Sequence, residues 1–286
     1  MNEQTERAAT LLAAKLRKDV LVMLRHRGYG HVGGSLSLVE LMADLYAHHL
    51  RHDPADPTWQ GRDRIVLSKG HAGPVMYSVL AERGFFPREW LLTLNDGGTR
   101  LPSHTDRLKT PGVDATTGSL GQGTSEAAGI ALALKMKESA AYTYLIVGDG
   151  ELNEGQCWEA FQFIAGRRLS RCIVFIDDNK KQLDGPTAAV LPGFDLAQKM
   201  SAFGFMTQRV DGQDIRAIDA AIDAAKANDA SANCIVLDTT KGAGVAYFER
   251  AADNHSMKWN NDEIRRATDE AVLALEAQIK GGEQDV

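Results

Sequence analysis

The run Tyr142-Thr143-Tyr144-Leu145-Ile146-Val147-Gly148-Asp149-Gly150 decides the fold. Aromatic and β-branched residues follow one another and stop at a Gly-Asp-Gly turn. That is the pattern of a short strand buried on both faces. Helical spacing follows over Asn153–Arg168. A second apolar run, Cys172–Ile176, closes on Asp177-Asp178-Asn179-Lys180-Lys181. Strand, helix, strand is the unit from which parallel sheets are built. The rhythm continues with a helix near Leu196–Phe203, a strand at Phe205–Val210, a helix at Ile215–Ala225 and a strand at Cys234–Leu237. The expected class is α/β, a mainly parallel sheet with helices on both faces.

The first half of the chain is helical. Leu11, Leu12, Leu16, Val20, Leu21 and Leu24 give Glu6–Arg27 one apolar face, and Gly28-Tyr29-Gly30 breaks it. A second helix is expected over Ser37–His49, with Ser37 as N-cap and Glu40 completing a capping box. Asp63–Ser68 reads as a buried strand and Gly73–Gly84 as a helix. Leu101–Gly123 has no period, and long irregular segments inside compact domains tend to be functional or disordered. Ser125–Lys137 and Asp262–Ile279 read as helices, the latter capped by Asn261. No linker interrupts this order, so residues 1–286 are expected to form a single domain.

Composition narrows the function. The chain of 286 residues has 32 Lys+Arg against 38 Asp+Glu, a net charge of −6. An acidic chain with mixed charges lacks the basic footprint of a nucleic-acid binder. Cys157, Cys172 and Cys234 are odd in number, lie in apolar stretches and form no C-x-x-C pair. They read as buried free thiols in a reducing compartment. The N-terminus is polar and no apolar run is long enough to span a bilayer, so a cytoplasmic protein without a membrane partner is expected.

Ligands of parallel sheets sit beyond the carboxyl ends of the strands. Asp149 and Asn179, 30 residues apart across one strand–helix–strand unit, should therefore emerge on the same edge if the two strands are neighbours. Two oxygen donors there suit a small hard cation such as Mg²⁺, which completes its shell with phosphate oxygens and water. Gly148 and Gly150 would let the backbone approach a diphosphate.

Gly148-Asp149-Gly150 followed by Asn179 resembles the thiamine diphosphate fingerprint, and other segments resemble the transketolase family in particular. These are Gly30-His31-x-Gly33-Gly34, Leu67-Ser68-Lys69-Gly70-His71, Thr117-Gly118-Ser119-Leu120-Gly121-Gln122-Gly123, Glu151-Leu152-Asn153-Glu154-Gly155 and Leu183-Asp184-Gly185-Pro186-Thr187. The resemblance runs through nearly the whole chain in order. It implies the three-layer thiamine diphosphate-binding fold, with thiamine diphosphate and Mg²⁺ (or Ca²⁺ or Mn²⁺) as cofactors. It implies Asp149, Asn179 and the carbonyl of Lys181 as metal ligands. His71, Gly118, Leu120, Gly148, Asp149, Gly150, Glu151, Asn179, Leu183, Lys241 and His255 would bind the cofactor. His31, His71, His104 and His255 would serve catalysis, and Glu154 would join two active sites across a dimer. The chain resembles only the diphosphate-binding half of a transketolase. The resemblance therefore implies a split enzyme with a second copy of this chain, a C-terminal subunit carrying the pyrimidine-binding half, and sugar substrates.

Apart from the resemblance, His26, His48, His49 and His52 read as surface or helix-face residues, and Cys157, Trp158 and Trp259 as packing. The surroundings of two histidines differ from the family pattern. Ser103-His104-Thr105-Asp106 stands where relatives carry His-Pro-Asp after a glycine. Asn254-His255-Ser256-Met257-Lys258-Trp259 stands where they carry Trp-His-Gly-Lys-Ala-Pro. Lys181 replaces an aliphatic residue. Another thiamine diphosphate enzyme component, of the 2-oxo acid dehydrogenase or sugar-phosphate synthase type, and a non-catalytic cofactor-binding subunit are the competing readings. A nicotinamide site has only Gly118-x-x-Gly121-x-Gly123 behind it, with the wrong spacing.

Overall fold

The computed structural model describes residues 1–284. After a first helix, Glu3–Arg27, the chain forms a two-residue strand β1 (Tyr29–Gly30) and then the sheet strands β2 (Arg64–Leu67), β3 (Thr143–Gly148) and β4 (Cys172–Asp178). A small hairpin, β5 (Lys181–Gln182) and β6 (Gly185–Pro186), precedes β7 (Phe205–Asp211), β8 (Ala232–Asp238) and a last short strand β9 (Met257–Lys258). The main sheet is parallel, in the order β2-β3-β4-β8-β7.

Alternation along each central strand explains the layers. In β3, Tyr144 and Ile146 enter one core, while Leu145 and Val147 enter another on the opposite face. In β4, Ile173 and Phe175 share the first core and Val174 and Ile176 the second. A strand with apolar residues on both faces needs helices on both. Glu3–Arg27, Val39–Asp44, Gly73–Glu82, Ile215–Ala227 and Asp262–Gln284 cover the first face. Gln122–Met136, Gly155–Gly166 and Leu196–Ala202 cover the second.

Three expectations are corrected. The first helix begins at Glu3 because the Asn2 side chain accepts from the Thr5 amide at 2.9 Å. The single helix expected over Ser37–His49 is a short helix at Gly33–Leu36, a second at Val39–Asp44 and a π-helical turn at Leu45–His49. Ser37 caps nothing. Its hydroxyl donates to Asp177 at 2.7 Å, and Glu40 pairs with Arg17 instead of closing a capping box. His49, expected on a surface or helix face, is buried. Asn261 does cap the last helix, accepting from the Ile264 amide at 3.0 Å. All three cysteines are free and buried.

Candidate functional site

The carboxyl ends of β2, β3, β4 and β8 converge on one edge. Gly148 of β3 lies opposite Asp177 of β4, and the Asp149 amide donates to the Asp177 carbonyl at 3.1 Å. This pairing puts Asp149 and Asn179 on adjacent loops, as expected. The Asp149 carboxylate accepts from the Gly150 amide at 2.9 Å and from the Thr187 hydroxyl at 2.9 Å. Burial, and then the neighbouring Asp177, push its pKa up to about 6. A buried carboxylate in that condition is one that a cation would relieve. Asn179 donates its amide to Asp177 at 2.9 Å, and its oxygen accepts the Lys181 amide at 3.2 Å. The Lys181 carbonyl accepts from the Lys241 ammonium at 3.0 Å. The donor set is all oxygen: carboxylate, amide and backbone carbonyl. It fits a hard divalent cation.

Four histidines, separated by up to 224 positions in the chain, meet beside these oxygens. His31 lies 5.4 Å from His71, 5.6 Å from His104 and 5.2 Å from His255, ring centre to ring centre; His71 and His255 are 4.8 Å apart. Local structure brings each one in. Antiparallel pairing of β1 with β9 joins His31 to His255. The buried Asn254 fastens that junction: its carbonyl accepts from Gly33, and its amide donates to the carbonyls of Lys241 and Phe248. His71 follows β2 directly. His104 rides on the irregular segment, which is tied across the strand end by the Thr117 hydroxyl on the Leu67 carbonyl at 2.7 Å. Gly118, at φ +143°, packs against the His104 ring, where a Cβ would meet it at 3.1 Å.

Electrostatics keep the imidazoles uncharged. Burial, then His104 and Lys241, lower the His31 pKa to about 4. Burial, then Lys241, lower His255 to about 3. Burial and Lys69 hold His71 well below its ordinary value, and burial lowers His104. The Lys241 ammonium sits 3.1 Å from His255 Nδ1, and burial brings its pKa down to about 8. Lys69 is spent on the buried Asp177, so the Lys241 ammonium facing neutral imidazoles is what makes this pocket edge welcome an anion.

Other residues expected at the site have different surroundings. Glu151 is 2% exposed; its carboxylate accepts from the Ser68 hydroxyl, the Gly121 amide at 2.8 Å and the Gly148 amide at 3.1 Å. It braces three loops together. Gly150 is needed for packing, since a Cβ there would meet the Gln182 side chain at 2.7 Å. The Leu120 carbonyl accepts from Gln156 at 2.8 Å. Leu183 is 65% exposed on the hairpin, and Glu154 is exposed at the start of the helix Gly155–Gly166.

Sequence reasoning gave no role to Asp177 and Lys69, which anchor the site. Asp177 is fully buried and accepts from Lys69, Ser37, Thr239 and Asn179. Burial favours its neutral form, but Lys69 and the two hydroxyls outweigh burial and hold its pKa below the usual value. The signal lay in Leu67-Ser68-Lys69-Gly70-His71: a lysine directly after a buried strand needs a buried anion.

A parallel sheet with metal-type oxygens and imidazoles at its carboxyl edge defines an α/β cofactor-binding class. Residues 9–277 match the family model for the transketolase thiamine diphosphate binding domain. The chain belongs to the transketolase family. It is 46% identical over 255 residues to the 6-deoxy-6-sulfo-D-fructose transketolase subunit SqwG of Clostridium sp. (strain MSTE9), covering 89% of this chain and 93% of that one. It is 37% identical to an apulose-4-phosphate transketolase subunit of Actinobacillus succinogenes, covering 89% of this chain and 92% of the relative. Its fold matches that of transketolase from Campylobacter jejuni with a TM-score of 0.85 at 27% identity. All of this chain is covered, but only 48% of that structure, so it spans about half of a single-chain transketolase.

Proposed function

We propose that this chain is the diphosphate-binding subunit of a two-component transketolase. With a partner subunit it would move a two-carbon ketol unit from a ketose to an aldose. The observation that carries the reading is the meeting of four neutral histidines beside Asp149, Asn179 and Lys241. Thiamine diphosphate, when bound, supplies the electron sink for breaking and remaking a carbon–carbon bond beside a carbonyl.

This chain's residues would do the rest. Asp149, Asn179 and the Lys181 carbonyl hold Mg²⁺, Ca²⁺ or Mn²⁺ against the diphosphate. Lys241, His71 and His255 donate to the diphosphate oxygens, and the backbones of Gly148 and Gly150 pass beside it. Glu151 acts on the cofactor through the loops that it braces. Gly118 and Leu120 meet the aminopyrimidine through their backbones, and Leu183 packs on the cofactor. His31 and His104 face the sugar. An imidazole with a pKa below neutrality is free to accept a hydroxyl proton and return it to the other fragment. The substrates named for the two relatives carry a sulfonate and a phosphate. Ketoses with an anionic tail are therefore the donors to assay first.

Assembly follows from incompleteness. Leu183, Val190, Leu191 and Phe194 are exposed together on residues 183–194 next to the site. Apolar surface of this kind suits the pyrimidine-binding subunit. Glu154, exposed at its helix start, suits a second copy of this chain, giving a heterotetramer with two of each kind of chain. The two cores share one sheet, which supports reading residues 1–286 as one domain. Free buried thiols support a cytoplasmic location. Among the described residues no helix is long and apolar enough to cross a membrane.

Paired substitutions in the assembled enzyme test the residue roles. Asp149→Ala should abolish measurable thiamine diphosphate uptake by calorimetry. His104→Ala should retain that affinity and lower ketol-transfer turnover by about 10²-fold or more. Wild-type cofactor affinity in the first variant, or wild-type turnover in the second, would remove the assignment.

A further inference from the structure

We propose that Asp44, His48, His49 and Asp219 form a second divalent-metal site, of the Zn²⁺ class, separate from the diphosphate site. One candidate ligand atom from each residue lies within 4.8 Å of the others. His48 Nδ1 is 2.6 Å and His49 Nε2 3.0 Å from the same oxygen of Asp219. Asp44 Oδ2 is 3.5 Å from His49 Nε2.

The backbone explains the convergence. The helix Val39–Asp44 runs into the π-helical turn Leu45–His49, in which the Leu50 amide donates to the Leu45 carbonyl at 2.7 Å. The wider turn sets Asp44 and His49, five apart, on one side. Such turns gather at functional sites. Asp219 arrives from the helix Ile215–Ala227.

Unmet bonding capacity points to a ligand. Asp44 is wholly buried, yet among the described residues neither of its carboxylate oxygens has a hydrogen-bond partner, and His49 Nε2, though 3.0 Å from Asp219, makes no well-directed hydrogen bond. A buried carboxylate beside a second carboxylate is costly without a cation between them. The nearby cations do not fill the gap. The Met1 ammonium takes the other oxygen of Asp219 at 2.9 Å, and Lys226 donates to the His49 carbonyl at 3.2 Å. Lys226 also lies 3.0 Å from His49 Nδ1. Metal at Nε2 would place the ring proton on Nδ1, so the Lys226 ammonium would release Nδ1 and keep the His49 carbonyl. The Asp223 carboxylate, now 3.9 Å from Nδ1, is the group that would move in to accept.

Two imidazoles and two carboxylates form a borderline donor set that favours Zn²⁺ and its neighbours over Mg²⁺ and Ca²⁺, which prefer oxygen. The ion would clasp the π turn to the Ile215–Ala227 helix.

Co²⁺ is the probe. The full-length chain, stripped with chelator and free of thiamine diphosphate, should take up one equivalent with the intense visible absorption of a four-coordinate nitrogen–oxygen site, and Zn²⁺ should displace it. Asp149→Ala should leave this absorption intact, separating it from the oxygen-only site. Asp44→Asn and His49→Gln, checked for folding by circular dichroism, should weaken Co²⁺ binding by at least about 10–100-fold. If those buried substitutions unfold the chain, the exposed His48→Gln must still alter the spectrum. Wild-type protein without that band, loss of the band in Asp149→Ala, or an unchanged band in folded Asp44→Asn or in His48→Gln would each overturn the proposal.

Discussion

At the scale of single residues, the site trades stability for readiness. His31 and His255 titrate at about 4 and about 3 in the folded chain, against about 6.5 for a free imidazole. Below pH ~6.5 the unfolded chain therefore binds protons that the folded chain refuses. The stability that these histidines lend is complete above that point and falls away as pH drops toward the folded values. Asp149, raised to about 6, and Asp44, raised to about 8, work the other way, but these two carboxyls offset the four site histidines and the buried His49 only in part. Urea unfolding of the chain should show lower stability at pH 5 than at pH 7. A His31→Gln, His255→Gln double variant should flatten that difference. Lys69 offers a second reading. Lys69→Met strands a buried Asp177 carboxylate and should cost about 3–5 kcal/mol. Adding Asp177→Leu should return much of that loss by thermal denaturation, while Asn179 loses its anchor and cofactor affinity stays low.

Whole elements show what can be read in one dimension. The central strands were legible because each carries apolar residues toward both cores, so nothing polar interrupts the run. The long helices declared themselves by period. Ser37 misled because a serine three residues before a glutamate describes a capping box only when no buried carboxylate competes for the hydroxyl. Here Asp177 does. The pairing of β1 with β9 was invisible, since two residues have no period and their partners lie more than two hundred positions away. The histidines were found through family motifs, whereas Asp177 and Lys69 needed the fold to show their contact. Asp214 is a cap that does act: it accepts from the Arg216 amide at 2.9 Å and the Ala217 amide at 3.3 Å, opening the helix Ile215–Ala227. Asp214→Ala should cost about 1 kcal/mol by urea titration, and Asp214→Ser much less.

For the molecule as a whole, the open edge of the sheet predicts dependence on a partner. The purified chain, given thiamine diphosphate, Mg²⁺, a ketose donor and an aldose acceptor, should show no ketol transfer. Adding the pyrimidine-binding subunit should restore it, with mass photometry reporting two copies of each. Full turnover by this chain alone would refute the two-component reading. The four-histidine cluster carries one more consequence. Its members come from residues 31, 71, 104 and 255, and the junction of β1 with β9 sets the last in place. During synthesis the ribosome releases three of them early, and the pocket stays open until nearly nine-tenths of the chain has emerged. Cofactor capture is thus a late event in the birth of each molecule. A chain stalled before β9 has its sheet, its oxygen ligands and three of its imidazoles, but lacks the junction that seats the fourth.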